Sequence, residues 1–503
     1  MKPIHIAGAA SILLFVEIQV ADAQWATGQA ANVILGQKGP NSTASGLSAE
    51  AFSTPTGIAL DLNTRKLFVA DRDNNRILRW TPTADTVTGS AAEAVFGQVD
   101  FASGGGLATR SGLNAPTALA VDPGGRLFVV DAANNRVLRF DNASSKPTGA
   151  EADAVFGQPD FLSKSPALTR TGMNNPQGVA VDSAGHLFVA DRGNHRVLRF
   201  DNVATKPNGA EADAVLGQPD FTTARDTTSR SGMSAPHGLA VDPSGALLVA
   251  VRGSNRVLKF DAASTKANGA NADLVLGQPD FSSRGAATSA TGLNEPISVT
   301  VDFQGQIFVN DFGNNRCVWF SKDSLTSNGP KATGAVGQKN LTSNNQGASL
   351  EQMRQPWGIT VHPKNPSLWI CDAGNNRVLH FSQATPTGVE EALGGEVPTG
   401  YMLEQNYPNP FNPSTIIRYG LPVRSRVNVA VYDALGQRVA LLVDGEQDGG
   451  MHSIAFDASG LSSGVYFYRL SVVRSAGADL IPSGGRNAQG ANFMETKKLM
   501  VLR

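Results

Sequence analysis

A unit of about 60 residues recurs six times between residues 55 and 381, and this period restricts the fold more than any other feature of the chain. It opens at Pro55, in the stretch Pro55-Thr56-Gly57-Ile58-Ala59-Leu60-Asp61. It opens again at Pro116, Pro176, Pro236, Pro296 and Pro356, at offsets of 61, 60, 60, 60 and 60 residues. A repeat this short cannot bury a core alone, so the units must stack on one another.

Each unit reads as four short strands. In the third unit, strand a is Gly178 to Asp182, strand b is Leu187 to Asp191, strand c is His195 to Phe200 and strand d is Ala214 to Gln218. Turn residues separate them, with Ser183-Ala184-Gly185 between a and b and Arg192-Gly193-Asn194 between b and c. Four strands per unit is the make-up of a propeller blade. The b runs are apolar almost throughout, as expected of strands covered on both faces by neighbouring blades.

The strands are out of phase with the chain ends. The first d strand, Val33 to Gln37, precedes the first a strand, and the last a–b–c set ends at His380-Phe381 with no d strand after it. The expected fold class is therefore all-β: a six-bladed β-propeller of four-stranded blades. Its ring is closed by an N-terminal strand (residues 31–37) that completes the sixth blade. Closure of this kind removes exposed sheet edges.

The chain has 503 residues, enough for more than one domain. Its charges balance, 42 Lys and Arg against 43 Asp and Glu, with no block of one sign. That excludes a dedicated nucleic-acid binder or a protein steered to anionic membranes. Residues 1–23 read as a signal peptide: Lys2, an apolar run from Ile4 to Val20, then the small-x-small site Ala21-Asp22-Ala23. No later segment is long and apolar enough to suggest a transmembrane helix in the mature chain. The only two cysteines, Cys317 and Cys371, fall where other repeats carry Val or Ala, so both read as small buried residues and not as a disulfide.

The most repeated polar residues are an Asp ending strand b and an Arg opening strand c: Asp71 and Arg76, Asp131 and Arg136, Asp191 and Arg196, Asp311 and Arg316, Asp372 and Arg377. Their recurrence assigns them to structure, as partners across a four-residue turn. The fourth unit breaks the pattern, with Val251 in place of the Asp and His237 after the Pro. The loops carrying His237, Arg252 and Arg256 lie at one end of the channel, and these three residues form the expected ligand-binding corner, suited to an anion. No catalytic residue, metal site or cofactor is expected. A catalytic zinc needs about three converging ligands, whereas His186, His195, His237, His362 and His380 occupy five different repeat positions.

Residues 31–383 resemble the NHL repeat family, through Pro-x-Gly-Val-Ala-Val-Asp, Leu-Phe-Val-Ala-Asp and Gly-Asn-Asn-Arg-Val-Leu-x-Phe, six times in phase. The resemblance implies a six-bladed propeller and a family of binding modules, with enzymes among its more distant members. The expected domains are the signal peptide (1–23), the propeller (24–383), a Pro/Gly-rich linker (384–400) and a C-terminal domain (401–503).

That last domain reads as a small Ig-like β-sandwich of short alternating strands. It resembles the type A sorting domain of the type IX secretion system. The resemblance rests on Asn406-Tyr407-Pro408-Asn409-Pro410-Phe411-Asn412-Pro413, Val431-Tyr432-Asp433 with Leu435-Gly436-Gln437, Phe456 to Leu470, and Lys497-Lys498-Leu499-Met500-Val501-Leu502. It implies engagement of the type IX secretion machinery through residues 401–503, passage across the outer membrane, and display at the cell surface or release.

The expectation for function is thus an exported, monomeric binding module with an extracellular protein or glycan as ligand, and no nucleic acid. The alternative is a lyase- or lactonase-type enzyme acting at the channel mouth.

Overall fold

The computed structural model describes residues 25–81, 88–362, 367–382, 400–406, 409, 411, 414–447, 450–458, 460–474 and 493–501. The expected signal peptide, the expected linker apart from residue 400, most of the proline-rich motif at 407–413 and residues 475–492 lie outside them. The chain divides into two units, Met1–Pro386 and Thr387–Arg503.

In the first unit the described residues form six four-stranded antiparallel sheets. In the third, strand a is Gly178–Val181, b is Leu187–Asp191, c is Arg196–Phe200 and d is Ala214–Leu216. Every residue of its b strand is buried, because apolar side chains from the sheets on either side cover both faces. The innermost strands touch in sequence around the ring, and Pro356–Val361 of the sixth sheet meets Pro55–Leu60 of the first.

The N-terminal segment completes the sixth sheet. Val33–Leu35 pairs antiparallel with Arg377–Ser382, with Val33 opposite His380 and Leu35 opposite Val378. Gln37 Nε2 donates to the Asn376 carbonyl at 2.9 Å, and Arg377 Nη1 donates to the Pro40 carbonyl at 2.6 Å.

Small residues set the channel width. A Cβ at Gly178 would lie 1.8 Å from the His237 carbonyl oxygen, and one at Gly238 would lie 2.5 Å from that of Ile297. Neighbouring a strands therefore approach more closely than most side chains permit.

A second device ties each sheet to the next. The residue closing each b–c turn is left-handed, as at Asn75 (φ 55°) and Asn376 (φ 51°), a conformation Asn tolerates better than most residues. Asn75 Oδ1 accepts the Ala115 N–H at 2.8 Å, and Asn376 Oδ1 accepts the Thr54 N–H at 2.8 Å across the closure. In the third sheet His195 takes this role, its Nδ1 accepting the Ala235 N–H at 3.1 Å.

The second unit has two sheets around one core. Met402–Leu403, Ser414–Leu421 and Gly450–Asp457 form the first. Arg438–Gln447, Ser425–Tyr432, Gly464–Arg474 and Phe493–Val501, in that order, form the second. Leu403, Ile417, Tyr419, Val429, Leu470 and Leu499 fill the space between them. The buried Tyr468 hydroxyl donates to the Glu404 carbonyl at 2.6 Å and accepts from the Asn406 N–H at 2.7 Å.

Among the described residues no helix is long and apolar enough to cross a membrane.

Candidate functional site

The repeated Asp and Arg residues meet in pairs that solvent does not reach. Arg76–Asp71, Arg136–Asp131, Arg196–Asp191, Arg316–Asp311 and Arg377–Asp372 are joined from Arg Nε to Asp Oδ2 at 2.6–2.7 Å, with both side chains fully buried. In the third sheet the same carboxylate accepts Asn194 Nδ2 at 2.8 Å and, through Oδ1, the Asn174 N–H at 2.6 Å. The guanidinium reaches the carbonyls of Phe221, Thr169 and Gly172 at 2.6–2.9 Å. Each pair thus ties the long d-to-a loops to the b–c turn. Burial pushes the five carboxyls up, to about 6 for Asp71, while the facing arginine pulls each back down. Phe161, Phe221 and Phe281 pack on the cores between sheets and lie under Arg110, Arg170 and Arg230, at 4.9–5.4 Å. Solvent does not reach the five Asp–Arg pairs, so they are not placed to meet a ligand.

The fourth sheet differs. Arg256 is fully buried like its counterparts, and its Nη atoms bond the Phe281, Ser229 and Gly232 carbonyls at 2.5–3.0 Å. Its Nε has no partner, because Val251 stands where the carboxylate would be. Burial lowers the Arg256 pKa to about 10.

Of the expected corner, His237 and Arg252 come together and Arg256 does not. The side chain of Arg256 is committed to the loops of its own sheet, away from the channel. His237 lines the channel and is 2% exposed. Its Nδ1 lies 3.0 Å from the Ile297 carbonyl oxygen. A carbonyl only accepts, so Nδ1 carries the hydrogen and Nε2 is a bare acceptor. Burial, with Arg252 and Arg192 nearby, lowers the His237 pKa to about 3, so the ring is neutral.

Four further residues complete the group. Trp357 of the sixth sheet reaches across the channel, its ring 5.5 Å from that of His237 and 5.8 Å from that of Phe312. Arg252 lies over Phe312 at 5.2 Å and pairs with Glu295 at 2.7 Å. Arg192 sits within electrostatic reach of Arg252 and Glu295. Its guanidinium has no hydrogen bond or ion pair among the described residues, and its Nε is buried. Burial and the neighbouring Arg252 lower its pKa.

Behind them, Asn310 Nδ2 holds the Trp357 carbonyl at 2.8 Å, while Asn310 Oδ1 and Thr117 Oγ1 are buried without partners. The channel cavity has a volume of about 50 Å³, room for a few waters or one substituent of a larger molecule.

Sequence reasoning missed Arg192, Glu295 and Phe312 and gave Trp357 no role. A signal was present. Glu295 stands where the other units carry Thr54, Ala115, Asn175, Ala235 and Gln355, and Phe312 where they carry Arg or Ala.

The remaining histidines lie elsewhere. His186 bonds Asp182 at 2.6 Å in an a–b turn, and the His380 ring lies tilted against Trp369 with centroids 4.3 Å apart. Among the described residues no three or more His, Cys, Asp or Glu gather as metal ligands. Cys317 and Cys371 are free and buried, and burial raises both thiols.

Comparison with known proteins finds the NHL repeat at residues 52–80, 113–140 and 173–200. It finds the secretion system C-terminal sorting domain at residues 405–476. Chicken teneurin-1 is 30% identical over 264 residues, covering 45% of this chain and 9% of that protein. Human teneurin-1 is 27% identical over 285 residues, covering 53% and 10%. The chain thus spans about a tenth of the length of these curated relatives. Among solved structures, a streptogramin B lyase is 11% identical with a TM-score of 0.40, over 68% of this chain and 96% of that one. A gluconolactonase from Xanthomonas campestris is 15% identical with a TM-score of 0.40, over 71% and 99%.

Proposed function

We propose that this chain, an NHL-repeat β-propeller bearing a secretion system C-terminal sorting domain, is a binding module that receives its ligand at the channel mouth. The sorting domain marks the protein for export through the type IX system to the cell surface or the extracellular space. The propeller supplies the rigid platform on which loops at one end hold a partner.

The observation that carries the reading is Arg192. A half-buried guanidinium with no protein partner, beside a second arginine and two partly exposed aromatic rings, is costly to maintain without a ligand. In the five buried Asp–Arg pairs, by contrast, the arginine is joined to a carboxylate at 2.6–2.7 Å.

The test compares the full exported chain with an R192Q/R252Q double variant on arrays of extracellular proteins and glycans. Wild type is expected to retain a ligand that the variant loses. Identical retention profiles for the two proteins would refute the reading.

A further inference from the structure

The charges and shapes at the mouth define a class of ligand, given the reading of that mouth as the binding site. Two guanidinium groups, Arg192 and Arg252, face one carboxylate, Glu295, and His237 adds no charge. These four side chains together carry one net positive charge. A monoanion balances that charge, whereas a phosphate dianion leaves one negative charge unbalanced beside Glu295. Arg192 has no protein partner among the described residues, which leaves its Nη1–Nη2 edge to match a carboxylate in bidentate geometry.

The neighbouring groups ask for more than an anion. His237 Nε2 is an acceptor on the wall of the channel cavity, so it calls for a donor such as a hydroxyl. The cavity of about 50 Å³ admits a substituent and not a ring, so the body of the ligand stays above the mouth. There it meets Trp357 and Phe312, both partly exposed and held edge to face at 5.8 Å. Aromatic faces suit the C–H face of a saccharide ring, which is apolar even though its rim carries hydroxyls.

We propose that the mouth binds a sugar acid: its carboxylate on Arg192 and Arg252, one hydroxyl donating to His237 Nε2, and its ring over Trp357. A free uronate and a uronate unit within a polysaccharide share this chemistry.

The test is calorimetric titration of the full-length protein at low salt with sodium glucuronate, sodium galacturonate, trigalacturonate, glucose, glucose 6-phosphate and inorganic phosphate. At least one uronate should bind saturably and at least tenfold more tightly than glucose. Tighter binding of trigalacturonate than of galacturonate identifies a polymer as the source, and equal binding identifies the free acid. R192Q should weaken uronate binding tenfold or more, and W357A should weaken it at least fivefold. Each variant is first checked for an unchanged melting temperature. H237Q restores the residue type of Gln177 in the third sheet, and because glutamine also offers an acceptor it should weaken binding less than H237L. Binding of glucose 6-phosphate or phosphate without binding of any uronate overturns the sugar-acid assignment and leaves the mouth as a ligand site. Uronate binding unchanged by both R192Q and W357A overturns the site itself. No uronate binding at millimolar concentration also overturns the sugar acid, while the array comparison above still decides the broader reading.

Discussion

Val251 stands opposite Arg256 in the strand register where the first, second, third, fifth and sixth sheets pair an aspartate with an arginine. The fourth sheet therefore buries a guanidinium without its carboxylate. Ser254 replaces the Asn that helps hold the carboxylate in the other sheets, and its hydroxyl bonds that of Thr228 at 2.8 Å instead.

Restoring the pair should stabilise the propeller. Val251→Asp, best combined with Ser254→Asn, gives Arg256 Nε its missing acceptor, worth about 1.5–3 kcal/mol for a hydrogen bond to a charged group. The opposite change, Asp191→Val, strands Arg196 and should cost roughly 3–5 kcal/mol. Chemical denaturation of both variants checks the signs. A lower midpoint for the Val251→Asp, Ser254→Asn protein than for wild type would contradict the account.

The close approach of inner strands predicts a sharp intolerance. Gly178→Ala places a Cβ where the His237 carbonyl oxygen already lies, and Gly238→Ala does the same at Ile297. Either should lower the melting temperature by many degrees or prevent folding. Ala118 occupies the corresponding place in the second sheet, so Ala118→Gly should cost only about 0.5–1 kcal/mol there. Wild-type melting of Gly178→Ala would show that the strands can separate at little cost.

The N-terminal strand should act as a latch. Ile34 and Leu35 are 1% and 0% exposed, so Leu35→Asp buries a charge without a partner and undoes the pairing with Arg377–Ser382. Limited proteolysis should then cut the 25–40 segment rapidly, while wild type resists. Equal cleavage rates would contradict the latch.

Two histidines predict acid sensitivity. Burial holds His237 near a pKa of about 3 and His380 near about 4, whereas both titrate near 6.5 when unfolded. Between those values the unfolded chain binds more protons than the folded one, so stability rises with pH and is lost as pH falls below 6.5. His237 alone should cost about 1.4 kcal/mol per pH unit in that window. Melting temperatures of wild type and H237Q between pH 4.5 and 7 should converge toward the acid end. Parallel curves would show that His237 does not contribute.

The last strand predicts a failure of export. Phe493–Val501 pairs with Gly464–Arg474 at a sheet edge and brings Leu499 and Val501 into the core of the second unit. Removing residues 495–503 should leave the protein in the periplasm, read by fractionation and immunoblotting. Normal surface display of the truncated chain would contradict it.

The ring was legible in the sequence because each blade states the same pattern, so turns, buried runs and the Asp–Arg pairs each appear several times. The displaced d strand was legible by counting. The mouth was harder to read because it is assembled from the places where the units differ. The His237–Trp357 contact joins the fourth and sixth sheets across the ring, which no local spacing reveals. Arg256 misled because it adjoins the same turn as Arg252, yet opens strand c and aims its side chain into the loops of its own sheet. Glu295 and Phe312 become visible only when each repeat column is read for its exception.

Gln37 and Asn376 are bonded partners 339 positions apart. A chain threaded through a membrane with its N-terminus leading delivers one half of this joint at the start of the repeat region and the other at its end. Five sheets are each made from a continuous stretch and can form on arrival, but the sixth waits for both ends. Until then the leading strand has no partner and the ring has a gap where the first and sixth sheets should touch. Completion of the propeller thus reports that the whole repeat region has emerged, and a stalled or truncated export product is left with an open, sticky seam that proteases and chaperones can recognise.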